Sequence, residues 1–142
     1  MADVNQSASA AVARFPLHTF KMPPDKYEKD KDGKDILVYK GPRELDTDPT
    51  EIVLRQLTFG EEQQALEAAA AKKTSFVYEG AMRSIVKADG KEISWADNGK
   101  ENFFGGLSNQ VRDLIVRAFS KISLPAPQAV DDFFASEKTT PA

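Results

Sequence analysis

The spacing of hydrophobic residues changes from strand-like in the first half of the chain to helix-like in the second half. Residues 36–39 form a β-prone run that ends at Gly41-Pro42. Residues 51–57 alternate between apolar and polar positions, as a half-buried strand does. We therefore predict two strands that pair with each other. The charged run over residues 25–35, which closes on a tight-turn dipeptide, is predicted to be a solvated loop.

Two helices are predicted after these strands. The first begins at Thr58, because a threonine three residues before Glu61 can form a reciprocal capping box at a helix start. The second is predicted over residues 75–88, with an apolar stripe at helical spacing, and ends at Asp89-Gly90. Beyond it, residues 91–95 read as a short extended segment followed by a polar loop.

The strongest helical periodicity lies over residues 106–122, which we predict to be the core helix. Its apolar positions are Leu107, Val111, Leu114, Ile115, Ala118, Phe119 and Ile122. Prolines end this helix and start a short last one over residues 128–136, where Val130, Phe133 and Phe134 are expected to point inward. The fold class is therefore α+β: short N-terminal β-strands or a hairpin, followed by a mainly helical domain of about four helices.

The domain organisation follows from composition. Residues 1–24 are predicted to be an extended or mobile N-terminal arm, residues 25–137 a single α+β domain, and residues 138–142 a disordered tail. The arm carries Phe15, Leu17, Phe20 and Met22 between prolines, so we expect these side chains to contact a partner or a neighbouring subunit.

Two phenylalanine doublets are the other candidates for partner binding. Adjacent residues on a helix point about 100° apart, so Phe103-Phe104 and Phe133-Phe134 are each hard to bury completely within one core. One interpretation is that all four rings belong to a core built by the last two helices. The other is that one ring of each doublet anchors a partner protein.

Composition removes several classes of chemistry. The chain has no cysteine, so disulfides, thiol nucleophiles and thiolate metal sites are excluded. Its one histidine, His18, leaves no set of ligands for zinc and no obvious catalytic base, and a calcium loop starting at Glu28 fails because its twelfth position is Tyr39. We expect no enzyme activity and no cofactor.

Charge and hydropathy bear on the partners. The net charge of −3 gives no general attraction to a phosphate backbone, so nucleic acid is not an expected partner. No apolar run is long enough for a transmembrane helix, and the N-terminus does not read as a secretory signal, so no membrane association is expected. The remaining candidate partners are proteins, including further copies of the chain in a homo-oligomer.

Three features between Thr50 and Ser136 follow one another in a characteristic order. They are the segment TEIVLRQLTFGEEQQALEAA, the turn at Ala88-Asp89-Gly90-Lys91, and the closing VRDLIVRAFSKISLP and VDDFFAS segments. In the order and spacing of these features the sequence resembles the small tail assembly chaperones of tailed bacteriophages. It implies a non-enzymatic protein of the host cytoplasm that binds the tape-measure and tail-tube proteins during virion assembly. The alternative is a structural tail or baseplate component retained in the virion tail through its N-terminal arm.

Overall fold

Antiparallel strands come first and helices follow in the computed structural model, which describes residues 15–141. The predicted α+β class is confirmed. The strands are β1 (His18–Lys21), β2 (Lys26–Lys29), β3 (Asp35–Tyr39), β4 (Glu51–Leu54), β5 (Ile85–Ala88) and β6 (Lys91–Glu92). The helices are α1 (Phe59–Lys72), α2 (Phe76–Ser84), α3 (Gly99–Gly105), α4 (Asn109–Ile122) and α5 (Pro127–Ala135), with a 3-10 turn at Ala96–Asn98.

Two separate sheets account for the strands. One is a four-stranded antiparallel sheet in the order β1-β4-β5-β6, and the other is the hairpin β2-β3. The predicted pairing of residues 36–39 with residues 51–57 is therefore wrong. The run predicted as a loop contains β2, which pairs with β3 and places Tyr27 opposite Leu37. Three of the four β2 residues are charged, so their hydrophobic pattern carries no strand signal.

The predicted N-terminal arm divides into two parts. Residues 1–14 lie outside the described part of the chain. The remainder includes β1, which pairs with β4 and sets Phe20 opposite Ile52. The boundary predicted at residue 24 thus falls inside the folded domain. The predicted tail has no regular secondary structure over residues 138–141.

The hydrophobic core lies between the four-stranded sheet and the helices α2, α3 and α4. The predicted core helix supplies four of its buried side chains, at the spacing the sequence predicted. These are Val111, Ile115, Phe119 and Ile122. This helix begins at Asn109 and not at residue 106 as predicted. The preceding segment from Gly99 to Gly105 forms the separate short helix α3, where a polar loop was expected.

The capping box predicted for the first long helix is confirmed. The Thr58 hydroxyl accepts from Glu61 N–H at 3.2 Å, and the Glu61 carboxylate accepts from Thr58 N–H at 2.9 Å. The predicted helix over residues 75–88 is too long. It ends at Ser84, and the chain continues as β5, which pairs with both β4 and β6. β-Branched Ile85 and Val86 favour the strand conformation once these neighbours are available.

Candidate protein-binding surface

The last helix, α5, buries none of its residues in the domain. A proline-containing linker separates it from α4, whose last residue Ile122 is buried in the core. Pro127 occupies the first turn of α5, where its missing N–H has no helical partner to lose and its fixed φ suits the helix. The sequence therefore starts a new helix here after the core has already been closed.

Both rings of the second phenylalanine doublet lie on the surface. Phe133 is 71% exposed and Phe134 is 65% exposed, and their ring centroids lie 5.5 Å apart in an edge-to-face arrangement. The prediction that these side chains point inward is wrong. The helical spacing was read correctly, but within residues 15–141 no apolar face covers them, and Val130 is the one residue of this helix that is half-buried.

α5 is amphipathic. Val130, Phe133 and Phe134 follow the i, i+3, i+4 spacing of one helix face, and we call these three residues the aromatic stripe. On the polar side, Gln128 donates from Nε2 to Asp132 Oδ1 at 2.7 Å. An amphipathic helix normally buries its apolar face against another element. Here that face is available to another protein.

An apolar groove of about 860 Å³ lies next to the start of α5. One wall is the segment from Pro16 to Phe20, and the other is the segment from Lys121 to Pro127. Gln56 fixes the end of α4 beside the sheet by donating from Nε2 to the carbonyl oxygen of Ile122 at 2.6 Å. We call this depression the linker groove. Leu17 and Leu124, which line it, are both largely exposed.

The other residues predicted to bind partners lie mostly in the core. Met22 and Phe104 are buried, and Phe104 packs edge-to-face on Tyr78 at 4.8 Å between ring centroids. Phe103 and Phe20 are partly buried against the same core. Met22 and Phe104 thus belong to the core, whereas Phe20 and Phe103 keep part of their surface accessible.

Phe15 is half-buried at the first described position. The structure thus does not bring the eight predicted residues together in one site. Leu17 and Phe20 line the linker groove, and the second phenylalanine doublet lies on α5. The sequence analysis missed Leu124, which is 71% exposed. Its position between two helices, beside prolines, is the sequence signal that separates it from the core leucines.

Two cationic side chains lie close to the indole ring of Trp95. The Arg83 guanidinium lies 5.1 Å from the centroid of the indole ring, and Lys100 Nζ lies 5.3 Å from it. Lys100 is buried, and its ammonium donates to the carbonyl oxygen of Arg83 at 2.9 Å. Burial, together with the positive charges of Arg55 and Arg83, lowers the pKa of Lys100 to about 8.

Neither a metal cluster nor a membrane-spanning helix occurs in the described chain. Within residues 15–141, no three His, Cys, Asp or Glu side chains are placed to hold a metal ion together. No helix in that range is both long and apolar enough to cross a bilayer. No family model, curated protein or solved structure matches this chain. The candidate surface is therefore described from the exposure and the contacts of its own residues.

The aromatic stripe has the chemistry of a protein-binding anchor. Phenylalanine side chains provide large apolar areas with few rotatable bonds, so ordering them on binding costs little entropy. The neighbouring linker groove adds apolar surface on the domain itself, and Lys121 at its rim is a cation that an acidic group of a partner would complement. Together the two features suit an apolar partner segment.

Proposed function

We propose that this protein is a non-enzymatic assembly factor that binds another protein through the aromatic stripe of α5. The observation that carries the proposal is the pair of adjacent, largely exposed phenylalanine rings on a helix that buries none of its residues. Clustered exposed aromatic residues are typical anchors of protein interfaces. The kind of partner that fits this surface best is an amphipathic helix or an apolar segment that covers the stripe.

The identity of the partners comes from the sequence resemblance. A bacteriophage tail assembly chaperone would bind the tape-measure protein and the tail-tube subunits in the host cytoplasm. The resemblance implies that the tape-measure partner is prone to aggregate, and apolar surface exposed by such a partner is what the aromatic stripe of α5 would cover. The binding surface in this proposal is therefore taken from the structure, and the identity of the partners from the resemblance.

Co-expression tests this role directly. The protein is produced together with the tape-measure protein encoded by the same genome, and the soluble fraction of the tape-measure protein is measured. We expect the wild-type chain to keep it soluble and to co-purify with it. The double variant F133A/F134A should lose both effects, because truncating two anchor rings removes most of the contact area.

Phe59→Ala is the matched control. Phe59 is also a highly exposed phenylalanine, 75% accessible, but it lies at the start of α1 and not on the helix that carries the stripe. This variant should solubilise the tape-measure protein as well as the wild type does. Equal loss of solubilisation in the control and the double variant would contradict a specific role for α5.

The alternative proposal is a structural component of the tail or baseplate. The linker groove favours this alternative. One of its walls is formed by residues 16–20, which include part of β1 and belong to the predicted N-terminal arm, and a neighbouring tail subunit could fill the groove. Mass spectrometry of purified particles separates the two roles. A chaperone is absent from the finished particle, whereas a structural component is present at a fixed copy number.

A further inference from the structure

The hairpin β2-β3 stands apart from the four-stranded sheet and is exposed along its whole length. Each of its strands pairs with the other on one side only. A lone two-stranded hairpin is marginally stable in water, and an unpaired strand edge is a template for a further strand. Tyr27, in the middle of β2, is 58% exposed.

The hydrogen-bond pattern shows which groups of β2 face outward. Both backbone groups of Asp30 face β3: its N–H donates to the carbonyl oxygen of Lys34 at 2.9 Å, and its carbonyl oxygen accepts from Gly33 N–H at 3.1 Å. Bonded and non-bonded pairs alternate along an antiparallel ladder, so Glu28 and Ile36 form the next bonded pair. The backbone N–H and C=O groups of Tyr27 therefore point away from β3, toward the free edge.

The charges on β2 restrict how this edge can pair with a copy of itself. A twofold axis through an antiparallel pair sets one residue opposite its own copy. The sequence of β2 is Lys26, Tyr27, Glu28, Lys29. An axis through any of its three charged residues would place like charges directly opposite each other, which is destabilising. Tyr27 is the one uncharged centre.

Pairing about Tyr27 is also favourable. It sets Lys26 of each copy opposite Glu28 of the other, which makes two oppositely charged cross-strand pairs. The two Tyr27 residues face each other with their outward backbone groups, so they exchange both hydrogen bonds of a bonded pair. Charge and hydrogen-bond pattern thus select the same register.

The other edge of the hairpin is less suited to such pairing. The register between β2 and β3 shifts between Tyr27 and Lys26, which leaves Val38 unpaired as a bulge in β3. Bulges disrupt an edge as a template for a further strand. An axis through Leu37 would in addition set Lys34 opposite Lys40 of the other copy.

We propose that two copies of the chain associate through β2, edge to edge and antiparallel about Tyr27, to form a four-stranded sheet from two hairpins. The association gives each marginal hairpin a second pairing partner. It uses a surface distinct from the aromatic stripe, so it stands independently of the proposed function.

Cysteine cross-linking tests the register, because the chain contains no cysteine. Cα atoms of a bonded antiparallel pair lie about 5.5 Å apart, within the range that a disulfide spans. Under mild oxidation the Tyr27→Cys variant should form a covalent dimer. The matched control Lys31→Cys places the thiol in the turn of the same hairpin, where the two copies would be roughly 26 Å apart at about 3.3 Å per residue, and should not cross-link.

Charge reversal tests the same register without a covalent bond. In sedimentation equilibrium, Lys26→Glu alone and Glu28→Lys alone should each weaken the dimer about tenfold, because two attractive pairs become two repulsive ones. The double variant K26E/E28K should regain the wild-type association. All these positions are exposed, so circular dichroism should show an unchanged fold.

Three results would each overturn the proposal. The first is cross-linking at position 31 as fast as at position 27. The second is a K26E/E28K double variant that associates no better than the single variants. The third is a wild-type chain that stays monomeric at all concentrations, together with no cross-link in the Tyr27→Cys variant.

Discussion

The ammonium group of Lys100 is buried near Arg55 and Arg83, where both the loss of water and the like charges disfavour its protonated form. Its pKa of about 8 in the folded protein lies below the ordinary value of 10.5. Below pH 8 both the folded and the unfolded chains carry the proton, so the full desolvation penalty is present. Between pH 8 and 10.5 the folded chain binds fewer protons than the unfolded chain, so stability rises with pH.

We therefore predict a pH-dependent free energy of unfolding that depends on Lys100. From pH 7.5 to 9.5 the wild-type protein should gain up to about 2 kcal/mol from this group. The Lys100→Met variant should lack that gain, whereas Lys91→Met, at an exposed position of β6, should keep it. Urea unfolding at a series of pH values measures the slope. An identical slope in all three proteins would contradict the assignment.

Asp48 is a second buried charge, and its hydrogen bonds compensate for its burial. Burial alone would raise its pKa, but backbone N–H donors outweigh this effect and lower the pKa below its ordinary value. The donors are Glu44, Leu45 and Ser108, each at 3.0 Å. The carboxylate thereby joins the loop before β4 to the start of α4.

Asp48→Asn should destabilise the fold by about 2 kcal/mol at neutral pH, because the side chain loses its charge and one of its two acceptor oxygens, so that its NH2 group faces a backbone N–H donor. The stabilisation by the wild-type carboxylate is present above its unfolded pKa and is lost as the pH falls through the lower folded pKa. The difference between variant and wild type should therefore shrink in acid. Asp46→Asn, on the exposed part of the same loop, is the control for thermal unfolding and should change little.

At the scale of elements, the contact between α2 and α4 depends on Gly80. A Cβ atom at this position would lie 2.5 Å from Cζ of Phe119, a buried ring of α4. Gly80→Ala should therefore destabilise the protein by about 1–3 kcal/mol through overpacking. Gly105→Ala meets no atom within 4 Å and should be neutral or slightly stabilising. Equal thermal stability of the two variants would contradict this account of the packing.

α5 should be dispensable for folding. Because none of its residues is buried, a chain that ends at Ala126 should keep a melting temperature within a few degrees of the wild type. The same truncation should abolish binding of the partner. Differential scanning calorimetry measures the first result, and co-purification measures the second. A large loss of stability would mean that the aromatic stripe stabilises the domain itself.

The sequence predicted those elements whose signals are local. The cap at Thr58 and the buried stripe of α4 depend on residues within a few positions of one another, and both were found as expected. The strand β5 was misread as helix because its pairing with β4 joins residues that lie far apart in the sequence. The exposure of Phe133 was missed for the same reason: a helical period indicates an apolar face, but not whether anything covers it.

At the scale of the whole molecule, a closed core carries two separate exposed features, and we propose a different protein interaction for each. The core is closed by α2, α3 and α4 against the four-stranded sheet, and α5 follows it with its aromatic stripe exposed. The exposed hairpin β2-β3 is the second feature. The proposed assembly role depends on the first surface and the proposed self-association on the second, so variants of each should leave the other interaction intact.

The decisive measurement is the affinity of the purified protein for the tape-measure protein. We predict saturable binding by the wild type, equal binding by Phe59→Ala, and a dissociation constant at least about tenfold higher for F133A/F134A. Isothermal titration calorimetry on the three proteins provides the comparison. Binding that is unaffected by loss of both rings, or no binding by the wild type, would contradict the account.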